Sequence, residues 1–212
     1  MELSMAQLER QEKYKLLIGC IVPRPIAWVT SADESGLVNA APFSYFNVAS
    51  IEPMMVSVAV MRKPGGIRKD TARNIAATGE FVVNMVDVHN VDAVNQTSAD
   101  YPPEVSEVTA LGLGLQPSAS VRVPRLAASR IHFECRLHQI VELGSPTTSD
   151  LIIGEVVHVH VADELYEHGR IDPRAFDPVS RMAGHTYATL GELFDRPRPV
   201  YEEAVSKDKK PS

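Results

Sequence analysis

Short apolar segments separated by turn residues fill the first part of the chain and predict β-strands. Three of them, at residues 26–31, 38–47 and 55–61, are rich in residues that favour strands. Between the first two, residues 32–36 have the sequence Ala-Asp-Glu-Ser-Gly, which predicts a hairpin loop. Because strands joined by short loops usually pair with one another, we expect an antiparallel sheet.

Strand and helix patterns follow one another in the rest of the chain. Strands are predicted at residues 80–85, 131–142 and 151–161, and helices at residues 1–17, 70–78 and 89–98. The helix at 70–78 has Asp70 or Thr71 as its N-cap and Gly79 just past its end. Strands outnumber helices, so the predicted fold class is mainly β, a closed or nearly closed barrel with peripheral helices.

No repeat and no linker divides the chain, and 212 residues suit one domain. We therefore predict a single domain over residues 1–195. The tail at residues 196–212 contains three prolines and a charged run at 207–210. This composition predicts a tail that is either mobile or docked on a neighbouring subunit.

The composition is that of an ordinary folded protein, with 44% hydrophobic and 23% charged residues. A net charge of −6 gives no reason to expect nucleic acid or an acidic membrane surface as a partner. The N-terminal segment lacks the apolar core of a secretory signal, and no apolar run approaches the roughly 20 residues that span a bilayer. Cys20 and Cys135 have no metal or redox spacing, so we expect two buried free thiols and a cytoplasmic location.

A cluster of basic residues surrounds the start of the helix predicted at 70–78. Its members are Arg62, Lys63, Arg68, Lys69 and Arg73, and Asp70 is the one acid among them. Gly65 and Gly66 make the backbone flexible, and a first helical turn offers unpaired N–H groups. Cations, glycine backbone and a helix N-terminus together favour a phosphate site. The alternative is a solvated surface loop.

Hydroxyl and amide side chains are dense along the predicted strands that flank Trp28, the single tryptophan. They are Thr30, Ser31, Ser44, Asn47, Ser50 and Ser57. Strand alternation places Ser44 and Phe46 on one face and Phe43 and Tyr45 on the other. Such side chains either line a ligand pocket or face solvent, and the residues alone leave both open.

His158 and His160 are two residues apart in a predicted strand, so both rings point to one face. Glu164 follows them, which comes near a metal motif of cupin barrels, although the glycine spacing differs and the second cupin motif is missing. A metal site also needs a third or fourth ligand. Metal binding therefore stands as an alternative to two histidines that face solvent. No serine, cysteine or carboxylate has the sequence context of a catalytic nucleophile.

An ordered set of short motifs extends through the chain. Pro-Arg-Pro-Ile-Ala-Trp-Val-Thr at 23–30 is followed by Asn-Ala-Ala-Pro-Phe-Ser at 39–44, Lys-Asp-Thr at 69–71 and Asn-Ile at 74–75. Further matches are at residues 79–84, 123–125, 133–135, 153–156 and 181–187. Over about residues 20–190, this set resembles the flavin reductase family with the FMN-binding split-barrel fold, the group that includes flavoredoxin. The resemblance implies a split β-barrel, antiparallel and Greek-key-like, with peripheral helices.

The resemblance also implies a homodimer that binds FMN, in preference to FAD, near the subunit interface. By motif match, the residues that would line the flavin ring are Trp28, Thr30, Ala40, Ala41, Ser44 and Phe46. The ribityl phosphate would be held by Ser57, Lys63, Lys69 and Thr71. Arg181 and Tyr187 would lie near the flavin, from the same subunit or from its partner.

One departure from the family pattern concerns the electron donor. Many short members have an aspartate-histidine pair just before the strand matched at 153–156, and that histidine helps to seat nicotinamide. Ser149 occupies this position here. Our candidate for a catalytic residue on the nicotinamide side is therefore His185.

The function implied first is an NAD(P)H-dependent flavin reductase that moves a hydride from NADH or NADPH to flavin N5, with a monooxygenase as a candidate partner. The cofactor supplies the chemistry, and backbone N–H groups of residues 39–46 are expected to stabilise charge at its N1–C2=O edge. One alternative is a flavoredoxin-like electron carrier that keeps its FMN and receives electrons from another protein. Another is a metal-dependent β-barrel enzyme that uses His158 and His160. A flavin-binding module without a redox role also stays open.

Overall fold

A seven-stranded antiparallel sheet forms the centre of the computed structural model, which describes residues 1–201. Within these residues the strands, in chain order, are β1 (Ala27–Ala32), β2 (Val38–Phe43), β3 (Phe46–Ile51), β4 (Met54–Met61), β5 (Glu80–Met85), β6 (Leu115–Gln116), β7 (Arg125–Leu126), β8 (Ile131–Leu143), β9 (Ser149–Val161), β10 (Tyr166–Glu167), β11 (Arg170–Ile171), β12 (Ser180–Arg181) and β13 (Tyr187–Ala188). The helices are α1 (Arg10–Cys20), α2 (Asp70–Thr78), α3 (Val91–Gln96), α4 (Glu107–Ala110) and α5 (Pro173–Phe176). Of the tail predicted at 196–212, residues 202–212 lie outside the described residues.

The order of the strands shows how the large sheet closes. From edge to edge the order is β2-β1-β5-β8-β9-β4-β3, and every neighbouring pair is antiparallel. β2 and β3 are at opposite edges, yet only Ser44 and Tyr45 separate them along the chain. Such a connection spans at most about 10 Å, so the sheet must curl until its two edges approach. The fold is therefore the mainly β barrel that the sequence predicts.

Apolar side chains fill the inside of the barrel. The inner cluster of buried residues is Ala27, Val29, Phe43, Phe46, Val56, Val58, Val60, Ala72, Ile75, Phe81, Val83, Cys135 and Ile152. A second cluster includes Trp28 with Ile26, Ala40, Val86, Val94, Val108, Leu126 and Val179. Alternate residues of β1 thus enter different clusters, which means that this strand is buried on both faces.

The strand predicted at residues 38–47 is in fact two strands, β2 and β3. The chain turns at Ser44 and Tyr45, and the Ala59 N–H donates to the Tyr45 carbonyl at 2.8 Å. The predicted alternation across this segment is wrong for the same reason. Phe43 and Phe46 both enter the inner cluster instead of facing opposite sides.

Helix bounds also differ from the prediction, and local hydrogen bonds explain the largest difference. α1 begins at Arg10 and not at residue 1, because Glu9 and Glu12 form a capping box with a 2.8 Å bond from the Glu9 N–H. α2 spans the predicted residues, but its N-cap is Lys69. Gly79 ends it with a φ of 73°, which glycine adopts without strain. α3 is shorter than predicted, and α4 is a short helix that was not among the predicted ones.

Two simpler expectations can be compared directly with the structure. Both cysteines are free thiols as predicted, but only Cys135 is buried. The predicted burial is wrong for Cys20, because it ends α1, a surface helix in which only Ile18 is buried. None of the helices in the described part of the chain has the length and apolar character needed to cross a bilayer.

Candidate functional site

Three adjoining cavities, together called the cleft, surround the turn between β2 and β3. The central cavity of about 230 Å³ is lined by residues of α1, of the turn and of the β12–β13 hairpin. An apolar cavity of about 340 Å³ lies on one side and a polar cavity of about 200 Å³ on the other. The central cavity shares Arg24, Ser44 and Tyr45 with the apolar cavity, and Pro42, Phe43, Lys69 and Ser98 with the polar cavity. The cleft is therefore continuous past the turn.

A buried arginine holds the walls of the central cavity together. Arg24 is only 6% exposed, and its guanidinium donates to the carbonyls of Ile18 at 2.7 Å, Ile21 at 2.5 Å and Met182 at 2.8 Å. Its Nε–H also reaches Ser44 Oγ at 3.4 Å. Two of these carbonyls belong to the C-terminal end of α1, where a cation is favourable. Arg24 thereby joins α1, the β2–β3 turn and the β12–β13 hairpin.

The β12–β13 hairpin brings a cation and an aromatic ring to the central cavity. Arg24 and Arg181 exchange backbone hydrogen bonds of 3.1 and 2.8 Å, which holds the hairpin in place. The Arg181 guanidinium lies 4.5 Å from the centre of the Tyr187 ring and donates to the Gly184 carbonyl at 2.6 Å. The Tyr187 hydroxyl donates to Asn95 Oδ1 at 3.0 Å. These contacts order both side chains before any ligand binds.

The polar cavity contains the cations expected for a phosphate. Lys63 and Lys69 both line it, and Thr71 lies beside them in the first turn of α2. Lys63 Nζ is 3.8 Å from a carboxylate oxygen of Asp70, whereas Lys69 forms no ion pair within residues 1–201. Two lysines next to the N-terminal end of a helix make a suitable environment for an anion.

A buried carboxylate also lines the polar cavity. Glu107 is 5% exposed, and its oxygens accept bonds from Asn39 Nδ2 at 2.8 Å and from the Ala40 N–H at 3.1 Å. Burial raises the pKa of Glu107 above its usual value. The Thr71 hydroxyl donates to Asn39 Oδ1 at 2.9 Å. This network joins α4, β2 and α2. It also uses the Ala40 N–H, which was expected to stabilise charge on a flavin and is already bonded to Glu107.

The arginines of the basic cluster are paired with acids. Arg62 and Arg68 bind the buried carboxylate of Asp150 at 2.6 and 3.3 Å, and each also pairs with Glu142. Although burial alone would raise the pKa of Asp150, these guanidinium groups hold it below its usual value. Arg73 pairs with an acid of α2 at 2.6 Å. Lys69 is therefore the member of the cluster that has no acidic partner among residues 1–201, and Lys63 has only the 3.8 Å contact with Asp70, which also pairs with Arg73.

Nine of the predicted site residues lie together in the cleft. They are Ala41, Ser44, Phe46, Ser57, Lys63, Lys69, Thr71, Arg181 and Tyr187. Trp28, Thr30 and Ala40 are fully buried instead. The Trp28 Nε1–H donates to Thr97 Oγ1 at 2.9 Å, and the Thr30 hydroxyl donates to the Pro124 carbonyl at 2.8 Å. Their side chains support the sheet behind the cleft and do not line it.

His185 does not reach the cleft in this chain. It is exposed in the turn between β12 and β13 and lines none of the three cavities, although its neighbour Gly184 lines the central one. Conversely, sequence reasoning did not select Arg24, Asn39 or Glu107. Arg24 and Asn39 belong to recognised motifs, so a signal for them existed. Glu107 had none, because it is 67 residues from Ala40 along the chain.

The two histidines of the metal alternative do share a face, with ring centres 4.6 Å apart. His160 Nε2 lies 2.5 Å from Oε1 of the buried Glu134. The same carboxylate accepts backbone N–H bonds from Ala119 and Ser120, so it holds the loop that follows β6. Among residues 1–201, no group of three or more histidine, cysteine or acidic side chains is placed to hold a metal ion.

Comparison with known proteins gives consistent matches along the chain. A family model described as "Flavin reductase like domain" matches residues 18–178. The structure of nitrilotriacetate monooxygenase component B from Bacillus cereus is 43% identical, with a TM-score of 0.90, and the match covers 92% of this chain and 98% of that one. For 2-nitrobenzoate 2-nitroreductase from Pseudomonas fluorescens the identity is 32%, the TM-score 0.86 and the coverage 95% and 98%. A protein from Shewanella frigidimarina, assigned as a flavin reductase with a split barrel domain, is 24% identical with a TM-score of 0.82 and coverage of 94% and 100%. The barrel is therefore a split barrel.

Proposed function

Because this chain belongs to the flavin reductase-like family, we propose that it is an oxidoreductase that binds FMN in the cleft and reduces it with NADH or NADPH. One observation carries the proposal: an apolar cavity and a lysine-lined polar cavity join through the central cavity at Ser44 and Lys69. FMN has the same two parts, because a flat ring system is linked to a charged phosphate.

The residues of the cleft fit FMN chemically. Lys63, Lys69 and Thr71 offer two cations and the first turn of α2 to the phosphate. Phe46 lines the apolar cavity, and Ser44 offers a hydroxyl between the two regions. When bound, FMN would supply hydride transfer at N5, and the protein's part is to bind, orient and shield it.

The charges at the central cavity favour a reduced, anionic flavin. Arg24 and Arg181 both line this cavity. The backbone of β2 is less suitable for the purpose, because Glu107 already accepts the Ala40 N–H and Pro42 has none. We therefore assign the stabilisation of negative charge to the two arginines instead of to the N–H groups of residues 39–46.

The proposal extends to assembly and partners. We propose a cytoplasmic homodimer, residues 1–195 as a single domain, and a monooxygenase as the recipient of the reduced flavin. The Bacillus cereus relative is named as component B of a monooxygenase, which supports the last point.

An electron carrier of the flavoredoxin kind is the second candidate. Ser149, at the position where many short members have histidine, is buried, and its hydroxyl donates to the Val60 carbonyl at 3.4 Å. No histidine of the described residues lines the three cavities. A cleft without a histidine for nicotinamide favours a protein that receives its electrons from another protein.

The first experiment is the visible absorption spectrum of the purified protein, followed by anaerobic addition of NADH and then of NADPH. If the protein is yellow and NADH or NADPH bleaches its flavin absorption quickly, the result supports the reductase. A yellow protein that neither bleaches supports the carrier. A colourless protein that cannot be reconstituted with FMN contradicts both.

His185 remains our proposed residue on the nicotinamide side, and its contribution is tested separately. If the partner subunit brings this histidine to the cleft, His185→Ala slows anaerobic reduction of bound FMN by NADH while the flavin absorption stays the same. An unchanged reduction rate would remove His185 from the site.

A further inference from the structure

One buried carboxylate binds both ends of the loop that carries the cleft lysines. Asp150, at the start of β9, is fully buried. Arg62 donates to it through two nitrogens, from Nε to Oδ2 at 3.0 Å and from Nη2 to Oδ1 at 2.6 Å. Arg68 donates from Nε to Oδ1 at 3.3 Å. Arg62 directly follows β4 and Arg68 stands two residues before α2, so the carboxylate brackets the segment between them.

The bracketed segment is closed by its own backbone as well. The Lys63 N–H donates to the Ile67 carbonyl at 2.8 Å, and the Gly66 N–H donates to the Lys63 carbonyl at 3.1 Å. Arg62 adds a bond from Nη1 to the Gly66 carbonyl at 3.3 Å. The loop is therefore fixed from inside by these bonds and from outside by Asp150.

We propose that Asp150 is a positioning residue that holds Lys63 and Lys69 at the polar cavity, so that they bind the phosphate of FMN. The inference rests on the proposed function and deepens it. The arginines add little attraction of their own for an anion, because Asp150 and Glu142 neutralise them. Their contribution is geometric: a lysine is flexible, and the position of its backbone determines where its ammonium group can reach.

The test compares two ligands that differ only in the phosphate. FMN and riboflavin are titrated into wild type and Asp150→Asn, with quenching of flavin fluorescence as the signal. Asparagine has nearly the same shape, but it carries no charge and keeps only one acceptor oxygen, so it holds both arginines less tightly while it fills the same space. We expect the Kd for FMN to rise about tenfold and the Kd for riboflavin to change less than about twofold.

Asp87→Asn is the matched control. Asp87 is also fully buried and pairs with Arg130 at 2.8 Å, but neither residue lines the cleft. This variant loses a buried ion pair and should leave the ratio of the two Kd values at its wild-type level. If Asp150→Asn changes both ligands in parallel, as general destabilisation does, the positioning role is excluded.

A second, milder variant tests the same proposal in case Asp150→Asn does not fold. Arg68 is one-third exposed, and Arg68→Gln keeps the two bonds between Asp150 and Arg62. It should raise the Kd for FMN about threefold, with riboflavin unchanged. An unchanged Kd for FMN in a folded Arg68→Gln protein counts against the proposal. If the wild-type protein binds FMN no more tightly than riboflavin, the phosphate site itself is contradicted. This result would count against the proposed function, whereas unchanged FMN binding in the variants would count against the role of Asp150 alone.

Discussion

At the scale of single residues, the cleft depends on side chains whose partners are distant in sequence. Arg24 belongs to a recognisable Pro-Arg-Pro motif, but its bond to the Met182 carbonyl joins residues 158 positions apart. Trp28 belongs to the same motif, and its single polar atom is satisfied by Thr97 inside the protein. The motif identifies important positions, and their individual roles follow from contacts that the motif does not contain.

His132 provides a prediction at this scale, because it is buried with one ring nitrogen unsatisfied. Its Nε2 binds the Leu126 carbonyl at 2.9 Å, while Nδ1 has no partner within the described residues. Burial lowers the pKa of His132 to about 4. Between pH 6.5 and 4 the unfolded chain binds a proton that the folded protein does not, so stability falls as the pH falls through this window.

We therefore expect acidification from pH 7 to pH 4.5 to remove about 2 kcal/mol more stability from wild type than from His132→Gln. Urea unfolding at the two pH values, followed by tryptophan fluorescence, gives both free energies of unfolding. Glutamine keeps an N–H donor and cannot titrate. An equal loss of stability in the two proteins would show that His132 does not set the acid response.

At the scale of elements, β9 contains a glycine that its neighbours require. Gly154 pairs with Val56 on one side and with Leu137 on the other. An added Cβ would lie 2.7 Å from Cε1 of the fully buried Phe81 and 3.3 Å from Cβ of Cys135. The ring and the glycine thus fit together across the inside of the barrel.

Gly154→Ala is accordingly expected to lower the free energy of unfolding by about 2 kcal/mol, because overpacking displaces the Phe81 ring. Gly19→Ala is the control, since a Cβ at Gly19 in α1 meets no atom within 4 Å. That change should raise stability by about 0.5–1 kcal/mol through helix propensity. Thermal and urea unfolding of both variants measure these changes in the free energy of unfolding. An unchanged free energy of unfolding in Gly154→Ala would contradict the close packing of Phe81 against this glycine.

Elements were predicted best where local patterns agree with tertiary packing. α2 has the predicted bounds because its apolar side and its terminal Gly79 favour the same helix. The sequence predicts one strand over residues 38–47 because strand-forming residues continue through Ser44 and Tyr45. The turn there is imposed by closure of the barrel, which no local pattern encodes.

At the scale of the whole molecule, the cleft exists because separate parts of the chain meet. α1, the β2–β3 turn, α2 and the β12–β13 hairpin all contribute residues to it. A ligand that touches all of these parts binds the folded chain and not the unfolded one. It therefore stabilises the fold by an amount that depends on its concentration and its Kd.

If FMN binds in the cleft as proposed, FMN at 100 times its Kd should raise the free energy of unfolding by about 2.7 kcal/mol. Thermal unfolding with increasing FMN measures the shift. AMP at the same concentrations is the control, because it carries a phosphate without a flavin ring and should shift the transition much less. A transition that FMN leaves in place would contradict binding to the folded protein.

The sequence alone was enough to predict a mainly β chain, the order of its motifs, the family resemblance and nine of the residues that line the cleft. The strands and helices follow from local patterns, which a linear chain records directly, whereas the site residues are what the resemblance to the family implies by motif match. Only the tertiary structure decided that Trp28, Thr30 and Ala40 lie behind the cleft, that Asp150 and Glu142 pair with the cluster's first two arginines, and that Glu107 joins β2. The physical reason is that burial and ion pairing depend on which distant segments the closed barrel brings together.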